Sequence, residues 1–594
     1  MNQRYTRTRL ILTFARGARG YFFIVLLASL ASTCLNALIP RIFSFTIDFV
    51  LGVDGIGFFK EHLWVLAFGV IAIALLNGFS VFFYRTYTAK AGETFAKNMR
   101  DLLFSHVQRL PMKWHSKNQT GDIIQRCTAD VEVIRNFVVT QVLEVFRTVF
   151  LVVISLTMMF SMNFRLTLTA LVFIPVIVAY SGVFFHLISR NFTAADEAEG
   201  ELSTVVQENA TGVRVIRAFG REKFEIDQFD QKNHIYANLW IRLGTLSGLY
   251  WGIGDLITGF QIICIIVLGA VQAVSGEITA GEFVAFASYN TTLAWPVRGL
   301  GRILSEMSKA GVSFDRVNYI LASAEEEMSE EGQVPDSLDI AFHGVTFAYE
   351  NGQNVLEDIC FHIEEGTTCG ILGGTGSGKS SLIHLLDRLY ELEEGQGEIT
   401  IGGIRIQDIP KKWLREHIGM VLQEPFLFSR TIRENIAAAH PSASMEEIRE
   451  AAKIACVDDA IMSFPDGYHT IVGERGVTLS GGQRQRIAIA RMLLTKSPIM
   501  IFDDSLSAVD TETDAKIRHA LKERMEHATV ILISHRITTL MEADKIIVLN
   551  HGRIEEIASH GELIQHDGIY RKIYDIQMNQ DDRRLLERGD EDGQ

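Results

Sequence analysis

The sequence predicts a two-part chain: an all-α membrane domain of six transmembrane helices, followed by an α/β nucleotide-binding domain of the P-loop type. Three observations predict it. Six apolar stretches of about 20 residues or more, enough to cross a bilayer, lie near 20–50, 63–88, 136–161, 165–188, 243–273 and 280–307. Residues 373–380 read GGTGSGKS, the G-x-x-x-x-G-K-[ST] pattern of a phosphate-binding loop. From residue 338 onward, short apolar runs (ITIGGIRI, MVLQ, IMIFDD, TVILIS, KIIVLN) alternate with helical stretches, the pattern of a sheet covered by helices.

Composition agrees with this division. The chain has 594 residues, too many for one core. A mean hydropathy of +0.16 is high for a water-soluble protein. Ten prolines and 21% charged residues argue against disorder. Arg4, Arg7, Arg9, Arg16 and Arg19 crowd the start, and Glu325, Glu326, Glu327, Glu330 and Glu331 form an acidic run near the middle. There is no long basic stripe with interleaved aromatics, so no nucleic-acid partner is indicated. The six cysteines are scattered without a C-x-x-C pair, which points to neither a zinc site nor a disulfide framework; they read as small apolar residues in a reducing compartment.

The first apolar stretch follows an arginine-rich start but is longer than a signal-peptide core and ends in no small-residue cleavage motif, so it reads as a membrane helix. Spans pair through short connections, whereas segments 89–135 and 189–242 are long, charged and helix-prone. Those long segments carry the basic residues, among them Lys90, Arg100, Arg126, Arg190 and Arg217; the short connections carry only Lys60 and Arg165. Positive residues stay on the cytoplasmic side. The N-terminus, both long segments and everything after the sixth span are therefore expected in the cytoplasm, with the spans in the plasma (inner) membrane. The membrane domain is expected over 1–322. The acidic, proline-containing stretch 323–337 reads as a linker, the nucleotide-binding domain as 338–575, and 576–594 as a polar tail.

In the phosphate loop, Gly373, Thr375, Gly376, Ser377 and Gly378 would offer backbone N–H groups to phosphate oxygens, aided by a helix N-terminus. Lys379 would reach the β- and γ-phosphates, Ser380 would hold Mg²⁺, and Ser381 is a further candidate for binding ATP. About a hundred residues later, Leu479, Ser480, Gly481, Gly482 and Gln483 spell LSGGQ. With both motifs in this order and spacing, the chain resembles the ATP-binding cassette (ABC) superfamily.

The resemblance implies further roles. Tyr349, ending VTFAY, would stack on adenine. Gln423 in VLQEP would touch Mg²⁺ and sense the γ-phosphate. Residues 470–476, TIVGERG, resemble the exporter-type segment that precedes the signature. Asp503 in IMIFDD would orient the Mg²⁺ shell, His535 in ISHR would be the switch histidine, and 507–510, SAVD, the D-loop. Leu479 to Gln483 would bind the γ-phosphate of ATP held by another subunit, so two such domains must sandwich two ATP molecules. With one such domain and six spans, the chain is expected to be a half-transporter that dimerises. Short outer connections and long inner segments also resemble ABC exporters, with coupling segments expected at 112–121 and 208–219.

Position 504 departs from the pattern. The family places there a glutamate that polarises the attacking water; this chain has Asp504. Aspartate is one methylene shorter, and a misplacement near 1 Å can cost a general base about 10²-fold. The chain then resembles the hydrolysis-poor subunit of heterodimeric multidrug exporters, whose partner supplies the glutamate.

Ionisable residues inside a membrane default to functional candidates. Asp255 in the fifth span, with Trp251 and Trp295, would line a path for cationic amphiphiles; Phe43, Phe45 and Tyr250 would add apolar wall. Glu144 and Arg147 are three apart and share a helix face. The competing reading is that these groups are inter-helix ion pairs and packing aromatics. The function expected is ATP-driven export of small amphiphilic compounds, against a lipid or peptide flippase of the same fold or a nucleotide-gated regulatory subunit.

Overall fold

The computed structural model describes residues 6–50, 61–328, 330–349, 352–473, 476, 478–505, 513, 516, 517, 519, 520 and 528–578. It forms two compact units, Met1–Leu110 with Asn118–Glu325, and Pro111–Lys117 with Glu326–Gln594.

The first unit is all helix. A short helix α1 (Arg7–Phe14) buries Leu10 and Phe14 and sets Phe14 edge-on to Phe95 at 5.8 Å. The long helices are α2 (Arg19–Phe45), α3 (Leu63–Val107), α5 (Val142–Met162), α6 (Phe164–Ala218), α7 (Glu222–Val274) and α8 (Ala280–Ala322); α4 (Met112–Lys117) clusters with the second unit. At 55 and 53 residues, α6 and α7 are each about 80 Å long, more than twice the hydrocarbon thickness. The charged segment 189–242 is therefore no loop but the continuation of two membrane helices. Asn163 makes the short turn between α5 and α6, its side chain accepting the Leu166 N–H at 3.0 Å.

One expectation needs correction. Residues 208–219 form no separate coupling helix: α6 runs on to Ala218, through Pro175 and Gly212, and the chain turns at Gly220, at φ +60°. Among the described residues, five helical stretches are long and apolar enough to cross a membrane. The sixth, α8, has 43 residues but is more polar, carrying Glu282, Asn290 and Arg298.

Polar contacts tie the helices together, as is usual where lipid supplies no hydrophobic drive. Gln261 donates to Asn290 at 2.7 Å, Ser32 to Asn77 at 2.7 Å, and the buried Tyr289 hydroxyl to the Ala37 carbonyl. Asp48 accepts the Gly281 N–H at 2.7 Å and the Thr279 hydroxyl, at the start of α8. That approach requires glycine, since a Cβ at 281 would overlap the Ser44 carbonyl. Glu144 and Arg147 pair with each other at 4.0 Å.

The acidic linker is held at both sides of the unit boundary. Glu325 pairs with His106 at 2.7 Å and Arg109 at 3.1 Å within the first unit. Within the second, Glu326 pairs with Arg415 at 2.7 Å and Lys411 at 3.1 Å. Burial pushes the Glu326 carboxyl up, but the hydrogen bonds from Arg415 and Lys411 outweigh it and hold the group below its usual range.

The second unit contains two sheets. One is antiparallel, ordered β2-β1-β4-β5: β1 (Ile340–Ala348), β2 (Asn354–Ile363), β4 (Glu398–Ile401), β5 (Ile404–Arg405). The other, ordered β10-β9-β3-β8-β7-β6, contains β3 (Thr368–Gly373), β6 (Ile418–Val421), β7 (Ile499–Asp503), β8 (Thr529–Ser534), β9 (Lys545–Asn550) and β10 (Arg553–Ala558). All its pairings are parallel except β9–β10. Parallel strands buried on both faces read as continuous apolar runs, and all five residues of β7 are buried. Neighbouring β3, β8 and β7 end at Gly373, Ser534 and Asp503, so the residues that follow them emerge along one edge of the sheet.

Candidate nucleotide-binding site

That edge builds the site, at the carboxyl ends of parallel strands where α/β domains place ligands. The chain leaves β3 at Gly373, turns through the phosphate loop and enters α9 (Lys379–Leu386). Gly376 and Gly378 stand at φ +80° and +102°, which a side chain would strain.

A cavity of about 500 Å³ lies over the loop. It is lined by Val355, Gly373, Gly374, Thr375, Gly376, Gly378, Lys379, Ser380, Ser381, Gln423, Asp503, Asp504 and His535. Segments far apart in sequence, all but Val355 proposed above for nucleotide binding, thus converge on one space. Lys379 Nζ donates to the carbonyls of Gly373 at 2.8 Å and Gly374 at 2.7 Å. Burial lowers its pKa, opposed by the charges of Asp503 and Asp504. Ser377 is buried inside the loop, 3.4 Å from Lys379 Nζ.

Ser380 Oγ donates to Asp503 Oδ2 at 3.0 Å. Burial raises the Asp503 carboxyl, and the Ser380 hydrogen bond opposes that rise. A hard divalent cation takes oxygen ligands. A hydroxyl and a buried carboxylate facing one point beside a phosphate cradle fit Mg²⁺, with Gln423 on the same cavity wall. Among the described residues no cluster of three or more His, Cys, Asp or Glu could hold a metal unaided, as expected where phosphate and water supply the remaining ligands.

Asp504 sits at φ +44°, its N–H bonded to the Ile533 carbonyl at 2.9 Å. Its side chain is 12% exposed and meets His535 Nδ1 at 3.0 Å. Asp504 and His535 are thus one pair.

Tyr349 lies outside this cavity but is joined to it: its hydroxyl is 3.0 Å from Ser381 Oγ. Sequence reasoning missed Val355, on β2, because an apolar strand residue carries no signal of facing a ligand.

Leu479, Ser480, Gly481, Gly482 and Gln483 do not line the cavity. Leu479 is buried, whereas Ser480 and Gly481 are exposed. They open α10 (Gly481–Leu493), where Ser480 Oγ accepts the Gln483 N–H at 3.2 Å and Gln483 Oε1 accepts the Ser480 N–H at 2.9 Å, a capping box. Residues 507–510, with Glu474 and Arg475 of 470–476, lie outside the described residues.

In the membrane unit, Tyr180 of α6 stacks on Tyr250 of α7 at 5.3 Å and 8°. Phe184 and Trp251 flank Tyr250 at 6.0 and 5.4 Å. Asp255 is exposed one turn beyond Trp251, itself 46% exposed. The Trp295 side chain lies outside the described residues.

Comparison with known proteins agrees with this geometry. Residues 22–297 match the family described as ABC transporter transmembrane region, and 356–507 the family described as ABC transporter. An uncharacterized ABC transporter ATP-binding protein, YknU, of Bacillus subtilis (strain 168) is 38% identical, over 94% of this chain and 95% of its own. The putative multidrug export ATP-binding/permease protein YgaD of the same organism is 32% identical, over 95% and 98%. The solved structure of a bacterial Atm1-family ABC exporter with ATP bound superposes with a TM-score of 0.80 at 26% identity, covering 95% of this chain and 98% of that one.

Proposed function

The chain belongs to the ABC transporter family, and from that premise we propose that it is one half of a heterodimer that exports small amphiphilic compounds, with a hydrolysis-poor ATP site of its own. That it is an exporter with a transmembrane and an ATP-binding domain rests on the family; the heterodimer, the weak site and the cargo are our reading.

The observation that carries the reading is Asp504. Lys379, Ser380, Gln423 and Asp503 line the cavity, but the carboxylate after Asp503 is one methylene short and held against His535 at 3.0 Å. In our reading, Lys379 and the loop amides hold the β- and γ-phosphates. Ser380, Gln423 and Asp503 hold Mg²⁺, which would offset phosphate charge during phosphoryl transfer. Asp504 orients the attacking water poorly. Ser480 and its neighbours, which do not line this cavity, close over ATP held by the partner, whose own glutamate serves that site. ATP-driven closure would move α4 and the inner ends of α6 and α7, and with them the spans.

For the cargo, the aromatic group on α6 and α7 beside Asp255 supports an amphiphile with a cationic end. A carboxylate near the middle of a span costs about 2.5–3.5 kcal/mol facing lipid, which favours a face turned to a lumen. YgaD's name, putative multidrug export protein, agrees.

The test is purification of the chain from its native membrane in mild detergent, identifying what co-purifies. A second half-transporter at one-to-one stoichiometry, with glutamate at the position that Asp504 holds here, is expected. A dimer of this chain alone overturns the heterodimer. Stimulation of ATP turnover by phospholipid but not by amphiphilic dyes overturns the cargo.

A further inference from the structure

We propose that Tyr390 is a positioning residue that passes occupancy of the base side of the nucleotide site to helix α4 through Ser116. The proposal rests on the reading of Tyr349 as the aromatic that receives adenine.

A second cavity, of about 650 Å³, lies within the nucleotide-binding unit. Its wall carries Phe347, Tyr349 and Tyr390 together with Lys113, Ser116 and Lys117 of α4. One hydrogen bond links its wall to that of the phosphate cavity: the Tyr349 hydroxyl meets Ser381 of α9 at 3.0 Å. A base laid on Tyr349, with its phosphates in the loop, therefore enters the space that α4 also borders.

Tyr390 spans that space. Its ring stands edge-to-face with Tyr349 at 5.1 Å and 86°, and Phe347 backs both, at 4.9 Å from Tyr349 and 6.1 Å from Tyr390. Its hydroxyl lies 2.8 Å from Ser116 Oγ. Ser116 donates its own proton to the Met112 carbonyl at 3.1 Å, so it accepts from Tyr390. Two hydroxyls thus mark the ends of one aromatic pair, one on the phosphate-loop helix and the other on α4.

The backbone under Tyr390 is braced. Arg388 pairs with Glu391 at 3.0 Å, Lys411 pairs with the same carboxylate at 2.7 Å, and the Arg388 guanidinium donates to the carbonyls of Ile406 at 2.9 Å and Ile409 at 3.0 Å. When a base reorients the Tyr349 ring, the braced segment does not absorb the shift. The Tyr390 ring does, and its hydroxyl carries the shift to α4. Packed rings respond in discrete steps because interiors are close-packed.

The experiment uses the assembled protein in lipid nanodiscs, with hydrogen exchange over residues 112–125 measured with and without AMP-PNP. Nucleotide affinity is followed with trinitrophenyl-ATP. In the natural protein, AMP-PNP is expected to slow exchange in this segment. Ser116→Ala and Tyr390→Phe should each cut that slowing at least fivefold while affinity changes less than threefold. The double variant should be no worse than either single one, and Ser116→Thr, which keeps the hydroxyl, should retain the response. Full slowing in Ser116→Ala or Tyr390→Phe overturns the proposal, as does no slowing in the natural protein. Tyr349→Ala separates the two readings: unchanged affinity there refutes the base site itself, whereas weakened affinity beside a normal response in Tyr390→Phe refutes only the relay.

Discussion

Replacing Asp504 by glutamate tests whether one methylene limits this site. The backbone at 504 is fixed by its bond to Ile533 at 2.9 Å, so the longer side chain extends into the cavity rather than pushing the strand back. One added C–C bond is about 1.5 Å and advances the carboxylate by roughly 1–1.5 Å. An error of about 1 Å costs a positioned base about 10²-fold, equal to about 2.7 kcal/mol of barrier. Part of that gain is lost if the new carboxylate keeps its contact with His535, now 3.0 Å from the aspartate. We therefore expect hydrolysis at this site to rise about 10- to 100-fold. The assay is single-turnover ATP hydrolysis by the assembled dimer, with the partner's phosphate-loop lysine disabled so that product reports this chain's site. A change of less than threefold refutes the reasoning, because the site would then be limited by something other than the reach of the acid.

Four further outcomes follow from other contacts. Lys379→Ala removes a charged donor, worth about 1.5–3 kcal/mol, and should weaken trinitrophenyl-ATP binding at this chain's site about 10- to 100-fold; unchanged affinity would refute the phosphate-loop assignment. Ser480→Arg should stop turnover of the dimer although Ser480 lies outside this chain's own cavity, and normal turnover would refute the head-to-tail sandwich. Burial raises the Asp387 carboxyl from 3.8 to about 6, so the folded state binds its proton more tightly and loses stability as pH rises from about 4 to about 6. Asp387→Asn should then melt higher than the natural protein at pH 8, by about 1–3 kcal/mol, with the advantage shrinking toward pH 5; a pH-independent difference would refute it. Gly281→Ala places a Cβ against the Ser44 carbonyl and should cost about 1–3 kcal/mol of stability, read as a lower thermal midpoint in nanodiscs.

The fold was legible because its signals are local and repetitive. Apolar length marked the spans, and alternating short apolar runs marked the sheet domain. The extent of the membrane helices was not legible, because the charged residues of 189–242 say only that a helix leaves the bilayer, not that it runs unbroken to Gly220. At the nucleotide cavity, the phosphate loop, Gln423, Asp503, Asp504 and His535 could be named from short motifs, since each motif fixes its own side chain on a strand end. What the motifs could not give was contact between them. The Asp504–His535 pair joins β7 to the turn after β8, and the Tyr349–Ser381 bond joins β1 to α9. Both depend on strand order, which the sequence does not state. The contact of Tyr390 with Ser116 was invisible for the same reason: the two meet across 274 positions of sequence, and the expected coupling segment 112–121 did not say which residue it would meet.

The position of the signature bears on how the weakness at Asp504 is contained. Ser480 is fixed by its capping box with Gln483, outside the cavity that holds Lys379 and Asp504. The two features therefore act on different nucleotides in any head-to-tail pair. In the proposed reading, a short acid would slow only the ATP bound to this chain's loop, while the ordered start of α10 would remain available to the other. In a homodimer both sites would inherit the short acid and turnover would fall throughout. In a heterodimer one fast site suffices, and the slow one can stay nucleotide-bound across cycles. The same logic makes the doubly substituted assembly informative. With Asp504→Glu here and the partner's glutamate shortened to aspartate, the fast site should move to this chain with total turnover largely kept. Loss of turnover in that exchange would show that the two halves differ by more than one methylene.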